Sequence, residues 1–518
     1  MPPRPSVEKT TVAPYSNDKN CSMLVKVLKE NYGFRLRSIF LGVHTGMPIK
    51  AEQIEKDFCN SSRNDQVSPA GGASRCDPSC KPFAQKGVTV RSAPANLVEV
   101  DEARPPFLQA LPPHRSLVSN LQHPQYSLFS IMEEETVVLI VGAGPAGLAT
   151  AACLVQFSIS YVIVERDECS ASLWRNRAYD RLKLHLAKEF CELPHMSYPT
   201  DAPTYIPKDQ FVKYIDGYIE HFNIRPKYHT SIESCKYDED AKCWISMAHN
   251  MDTSTTVKYK SSFLVVASGE NSAENIPMIP GLDGFPGELI HSSRYKSGAT
   301  YSGKNVLVVG SGNSGMEIAY DLACHGANTS IVVRSPVHVM TKELIRLGMK
   351  LVQYIPVNMV DTLLVTMSNF VFGDLSRHGI PKPKMGPLQL KSETGRSAVI
   401  DVGTVRLIKE GMIKVLGSIS RIKGNIVQFE DKKEFTFDAI VFATGYRSTA
   451  NIWLKNGESM LNDDGLPKNK FPDHWKGANG LYCAGLAKRG LAGIAMDAKN
   501  IANDIVSTIE SISGQTRH

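Results

Sequence analysis

Three glycines recur at one spacing in two places of this 518-residue chain, each time where an apolar run stops. Gly142, Gly144 and Gly147 follow Val137-Val-Leu-Ile-Val141, and Gly310, Gly312 and Gly315 follow Asn305-Val-Leu-Val-Val309. The pattern predicts strand, tight turn and helix, and each glycine of GxGxxG then has a task. The first permits the turn, the second leaves the backbone bare for a pyrophosphate, and the third lets helix and strand pack closely. Pro145 and Ala146 complete the first turn, Asn313 and Ser314 the second. The helix that follows offers unpaired N–H groups and a positive dipole end to phosphates.

The two units differ at the tip of their second strand. Tyr161-Val-Ile-Val164 ends in Glu165, where a carboxylate can accept ribose hydroxyls. Ser330-Ile-Val-Val333 ends in Arg334. A carboxylate there would repel a 2′-phosphate, whereas a guanidinium grips one in bidentate fashion. The first unit therefore selects an unphosphorylated ribose, as in FAD or NAD, and the second selects NADP(H). Two fingerprints of opposite preference imply one bound FAD and one visiting NADPH. Such a pair can pass a hydride to a flavin and two electrons on to oxygen.

The length exceeds what one core supports. A hydrophobic share of 42% and a charged share of 21% are those of a globular protein. The net charge of +6 is small, and no dense Lys/Arg run supplies a nucleic-acid footprint. Eleven cysteines, an odd count with no CxxC pair, read as free thiols in a reducing compartment. Cys76 and Cys80 read as solvated loop thiols, with a metal as the alternative. No apolar segment behind Met1-Pro-Pro-Arg-Pro marks a signal peptide. The most apolar stretch, Leu351 to Phe372, carries Gln353, Asn358, Asp361 and Asn369, which argues for a buried or surface helix over a membrane span. The expected location is the cytoplasm, free or against the endoplasmic reticulum surface.

Several elements must position the two turns. Lys208 to Phe222 has helical spacing, with Phe211, Tyr214, Ile215, Tyr218 and Ile219 on a core-facing side. Residues 228–260 read as antiparallel strands leading into Ser262-Phe-Leu-Val-Val-Ala-Ser-Gly269, a buried strand whose end is where an α/β sheet receives ligand. Residues 343–372 read as helical, 373–391 as a Pro/Gly/Lys loop, 437–446 and 480–485 as further strand–Gly turns, and 491–512 as a closing helix. Residues 1 to about 130 show Pro-rich punctuation and no sustained period, apart from a helix-compatible Met23 to Gly42. Disorder, a transit peptide (against which Glu8, Asp18 and Glu30 count) and a true start at Met132 are the three readings of that stretch.

From about Thr136 to Ile512 the chain resembles the class B flavin monooxygenases, and within them the plant YUCCA flavin monooxygenases. Phe285, Gly287, His291 and Tyr295 reproduce the FxGxxxHxxxY motif of the class, and Ala443-Thr-Gly-Tyr446 its ATGY motif. Arg181 to Pro194, Ser268-Gly-Glu-Asn271, Gly310 to Glu317 and Lys384-Met-Gly-Pro387 are similar to the YUCCA pattern specifically. Ser268, where Thr is commoner, and Pro381-Lys382 depart from it, and the first 130 residues match nothing in it.

The resemblance implies an α/β fold of two Rossmann-like domains, the NADPH-binding domain inserted in the FAD-binding domain, with a poorly ordered N-terminal extension. The expected boundaries are 1–131 for the extension, 132–296 and 436–518 for the two parts of the FAD-binding domain, and 297–435 for the NADPH-binding domain. It further implies oxidative decarboxylation of indole-3-pyruvate to indole-3-acetate, with FAD, NADPH and O2, through a C4a-peroxyflavin. Gly142, Gly144, Gly147, Glu165, Arg166 and Trp174 are the expected FAD contacts. Gly310, Gly312, Asn313, Ser314, Gly315 and Arg334 are those for NADPH, and Thr444 and Gly445, between the domains, are further expected cofactor contacts. Asn271 is expected near the flavin–nicotinamide junction. His185 falls near the position where other class members keep an active-site Asn, and Lys188 is a candidate for the substrate carboxylate. No metal is expected. The alternatives are N- or S-oxygenation of a small nucleophile, a flavin disulfide reductase (which would need a redox-active cysteine pair), and a flavin-binding sensor.

Overall fold

The computed structural model describes residues 132–515. The expected extension, its Met23–Gly42 segment, and Cys76 and Cys80 lie outside those residues.

Strand β1 (Met132–Val141) carries the first apolar run, and Val138, Leu139 and Ile140 are fully buried, as in a strand covered on both faces. It pairs in parallel with β2 (Tyr161–Val164) and with β5 (Thr255–Val266). The expected antiparallel strands are β3 (Thr230–Asp238) and β4 (Cys243–Asn250), and they complete the order β2-β1-β5-β4-β3. The edge of β5 away from β1 is shared. β4 pairs along residues 255–261, and β11 (Leu481–Cys483) pairs in parallel along 264–266. Helix α1 (Pro145–Gln156) has Pro145 in its first turn and small residues along its length. Ala146 to Leu154 are all buried there, under the closing helix α7 (Leu491–Gln515).

A second sheet is wholly parallel, in the order β9 (Ile413–Leu416), β8 (Asn328–Val332), β7 (Asn305–Val309), β10 (Ala439–Phe442), β6 (Glu288–His291). Helix α3 (Asn313–Cys324) follows β7. Both β6 and β10 fall outside the 297–435 span expected for the inserted domain, yet hydrogen bond into this sheet. A buried apolar run such as Ala439–Phe442 announces a covered strand but not which sheet covers it.

Helix α2 (Lys208–His221) buries Phe211, Tyr214, Ile215 and Tyr218, so its aromatic face is core. The apolar stretch read as helical over 343–372 holds two helices, α4 (Lys342–Leu351) and α5 (Val357–Phe372), separated at Pro356. The expected loop 373–391 is also interrupted, because α6 (Pro387–Thr394) begins inside it. Pro387 suits a first helical position. Buried Asp361, on α5, accepts from Leu388 N at 2.8 Å and Gln389 N at 3.0 Å, and so caps α6 from a distance. No helix among the described residues is long and apolar enough to cross a membrane.

Candidate active site

The first glycine turn is built as a cradle. Gly142 sits at φ +111°, and a Cβ there would lie 2.5 Å from the Ala267 carbonyl oxygen, so only glycine fits. A Cβ on Gly147 would lie 1.9 Å from the Gly142 oxygen, which is the close helix–strand approach the motif requires. A Cβ on Gly144 would meet nothing within 4 Å. The protein therefore leaves space at the one glycine whose task is to let a ligand approach.

That space opens into a cleft of about 270 Å³. Its walls include Gly142, Gly144, Pro145, Ala146, Glu165, Arg166, Trp174, Asn271 and Gly485. Glu165 Oε2 accepts from Ala143 N at 2.8 Å and Oε1 from Asp167 N at 3.0 Å, which fixes the carboxylate at the strand tip with lone pairs to spare. Burial pushes its pKa up, against the pull of those two N–H groups. Arg166 donates to the Ser272 carbonyl at 3.1 Å, tying the tip of β2 to the turn after β5. The Trp174 ring packs 4.6 Å from that of Phe211 on α2. Ser268 Oγ, on the same wall, is buried without a hydrogen-bond partner among the described residues, as expected of a group that a ligand satisfies. The donor set, the open cradle and the orphaned hydroxyl fit a dinucleotide.

The second turn repeats the first. Gly310 sits at φ +113°, with a built Cβ 2.5 Å from the Ala443 oxygen; one on Gly315 would lie 1.9 Å from the Gly310 oxygen, and one on Gly312 would meet nothing within 4 Å. Ser314 lies beside the Tyr179 hydroxyl. The Asn313 side chain is held by the protein itself: its Oδ1 accepts from Ile400 N at 2.8 Å and its Nδ2 donates to Ala398 O at 3.4 Å, so it anchors a neighbouring strand. Arg334, two residues past β8, is exposed and makes no ion pair among the described residues.

Between the turns the FxGxxxHxxxY residues act as a clamp. Phe285 is buried in the core, and a Cβ on Gly287 would lie 2.3 Å from the Asp438 oxygen. His291 is fully buried; its Nε2 donates to the Gly445 carbonyl at 3.0 Å, and its ring meets Tyr446 edge-on at 4.8 Å. Burial lowers the His291 pKa, so the ring is neutral there. Tyr295 donates to Asp321 on α3 at 2.7 Å. Thr444 donates from Oγ1 to the Asn275 carbonyl, fastening the turn after β10 to the chain beyond β5.

His185 and Lys188 go elsewhere. His185 Nε2 is buried 3.7 Å from the Glu317 carboxylate on α3, beside Tyr179, whose hydroxyl donates to Glu317 at 2.8 Å. Arg181 reaches both Glu317, at 3.5 Å, and Asp321, at 3.6 Å. This basic strap over α3 was not legible from spacing, although Glu317 stands in the second fingerprint. Lys188 donates to three carbonyls, those of Pro199, Thr200 and Ala202, at 3.2, 3.2 and 2.7 Å. Its three N–H groups are thus engaged in closing the 199–202 loop.

Residues 139–347 match the family described as pyridine nucleotide-disulphide oxidoreductase. The cysteines among the described residues are free thiols, with Cys153, Cys191, Cys235 and Cys483 buried. In a solved structure the chain resembles a flavin-containing monooxygenase from Stenotrophomonas maltophilia, with TM-score 0.56 and 17% identity over 73% of this chain and 99% of that one. Two relatives from Arabidopsis thaliana are more similar in sequence. Indole-3-pyruvate monooxygenase YUCCA6 is 45% identical over 374 residues, covering 71% of this chain and 89% of its own length. The protein named Probable indole-3-pyruvate monooxygenase YUCCA10 is 53% identical over 379 residues, covering 73% of this chain and 99% of its own. The chain belongs to the YUCCA family of flavin monooxygenases.

Proposed function

We propose that this chain converts indole-3-pyruvate to indole-3-acetate, consuming NADPH, O2 and a proton and releasing CO2, NADP+ and water. Family membership brings a flavin and a pyridine nucleotide; the finer assignment to FAD and NADPH rests on the opposite charges at the two strand tips. Glu165 would hold the ribose of the resident flavin nucleotide and Gly144 would admit its pyrophosphate. Arg334 would grip the 2′-phosphate of the reductant. A bound flavin supplies the two-electron store and the oxygen chemistry, and the chain's own work is orientation and exclusion of water. The cleft wall, with Trp174 braced on Phe211 and Asn271 at its rim, supports that role. His185 reads as a positioning residue held against Glu317. We divide the described residues by sheet membership, with the NADPH unit taking in β6 to β10.

The observation that carries the reading is the pairing of Glu165 at one tip with Arg334 at the other. Its test is to mix purified protein with NADPH and indole-3-pyruvate in air and identify products. Indole-3-acetate and CO2 in equal amounts support it. Oxygenation of an amine or sulfide with no CO2 from the oxo acid would replace it with another monooxygenase activity.

A further inference from the structure

Among the buried side-chain polar atoms that lack a hydrogen-bond partner in the described residues, two belong to the cleft wall, Ser268 Oγ and Glu270 Oε2. The hydroxyl is the cheaper to strand. A carboxyl oxygen shut off from water and left unpaired costs far more, so its retention needs an account. Glu270 is aimed by the residue before it. Gly269 sits at φ +83°, and this turn carries the chain off the end of β5 into the cleft wall. The side chain forms no salt bridge among the described residues.

What surrounds the carboxyl is basic and comes from separate elements. Lys391 on α6 is the charge that acts on it most strongly, followed by the backbone N–H and then the ammonium of Lys488, in the segment between β11 and α7. Arg489 acts in turn on Lys391. Lys391 donates from Nζ to the Gly395 carbonyl at 3.0 Å, so its ammonium is tethered to its own helix end. Gly490 and Leu491, directly after this basic pair, also line the cleft. Glu270 is thus faced by two lysines, Lys391 and Lys488, while its Oε2, unpaired among the described residues, belongs to the cleft wall.

We propose that Glu270 is a further cofactor-contacting residue, whose Oε2 hydrogen bonds with the flavin nucleotide bound in the cleft. This rests on the flavin reading of the cleft given above. Burial raises the pKa of this carboxyl, the largest influence upon it, and the lysines pull it partway back. The group therefore holds a proton more firmly than an exposed glutamate, and in that form Oε2 is a donor to an acceptor atom of the ligand. As pH rises the proton leaves, the donor becomes a carboxylate, and the flavin feels a negative charge in its place.

The test uses the full-length protein with added FAD, comparing wild type with Glu270→Gln and Glu270→Ala. The readouts are the FAD dissociation constant and the visible flavin absorption from about pH 5 to about pH 9. Wild type should show a pH-dependent shift of the flavin band. Glu270→Gln keeps a donor, and should bind FAD within a few-fold of wild type while losing that shift. Glu270→Ala should weaken FAD binding about tenfold or more, the worth of a hydrogen bond to an ionisable group. If Glu270→Ala does not fold, the isosteric Glu270→Gln spectrum decides alone. A wild-type band that does not move with pH, or variants that bind FAD normally and keep the shift, would overturn the proposal. Wild-type protein that binds no FAD at all would instead sink the flavin reading beneath it.

Discussion

His291 Nε2 donates to the carbonyl of Gly445, 154 residues later in the chain, from a fully buried ring. The bond joins the end of β6 to the turn after β10, and Asn275 N reaches the same carbonyl at 3.1 Å. The class motif residue is thus a fastener for the chain between the two glycine turns. His291 is neutral in the fold, with its pKa below the ordinary 6.5. A depressed folded pKa contributes stability that is present above the unfolded pKa and lost as pH falls from there through the folded pKa. The melting temperature of wild type should therefore fall on acidification below about pH 6.5. His291→Gln, which keeps a donor but does not titrate, should weaken less. An identical pH profile for the two proteins contradicts the assignment.

Gly144 and Gly147 should fail differently. Gly144→Val places a side chain in ligand space, since a Cβ there meets no protein atom within 4 Å. It should fold with wild-type circular dichroism and bind no flavin. Gly147→Ala forces a Cβ to 1.9 Å from backbone, and should destabilise the fold itself by several kcal/mol, read as loss of soluble protein or of melting temperature. Equal behaviour of the two would undo the division of labour between the glycines.

Arg334→Glu should raise KM for NADPH by about tenfold to a hundredfold, the range for a charge-assisted hydrogen bond to phosphate, while KM for NADH changes little or falls. Equal effects on both reductants would remove the 2′-phosphate from this residue.

Lys188→Met should lower stability by about 1–2 kcal/mol, because three carbonyls lose a charged donor. Its KM for the oxo acid should stay near wild type. A large rise in KM with unchanged melting temperature would return Lys188 to the substrate.

The parts legible in the sequence were those governed by local rules. Both glycine turns, the buried run before each and Glu165 at its strand tip follow from backbone sterics and spacing, and the structure holds them as expected. The aromatic face of α2 also followed from its period. The remainder depended on contacts distant in sequence. Nothing local shows that Asp361 caps a helix starting at Pro387, or that Lys188 meets the carbonyls of Pro199 to Ala202. Nor does spacing reveal that Asn313 turns its amide to residues 398–400, or that Glu317 gathers Tyr179, Arg181 and His185. The sheet that takes Ala439–Phe442 was equally hidden, since a wholly apolar strand fits any covered position.

On the proposed function, an acid at the first tip keeps a flavin nucleotide while an arginine at the second chooses its reductant. Anaerobic mixing of the purified yellow protein with NADPH and, separately, with NADH measures this directly as bleaching of the flavin band. Fast bleaching by NADPH is expected at concentrations where NADH is at least tenfold slower. A colourless protein that takes up no FAD, or bleaching at the same rate by both reductants, would contradict it.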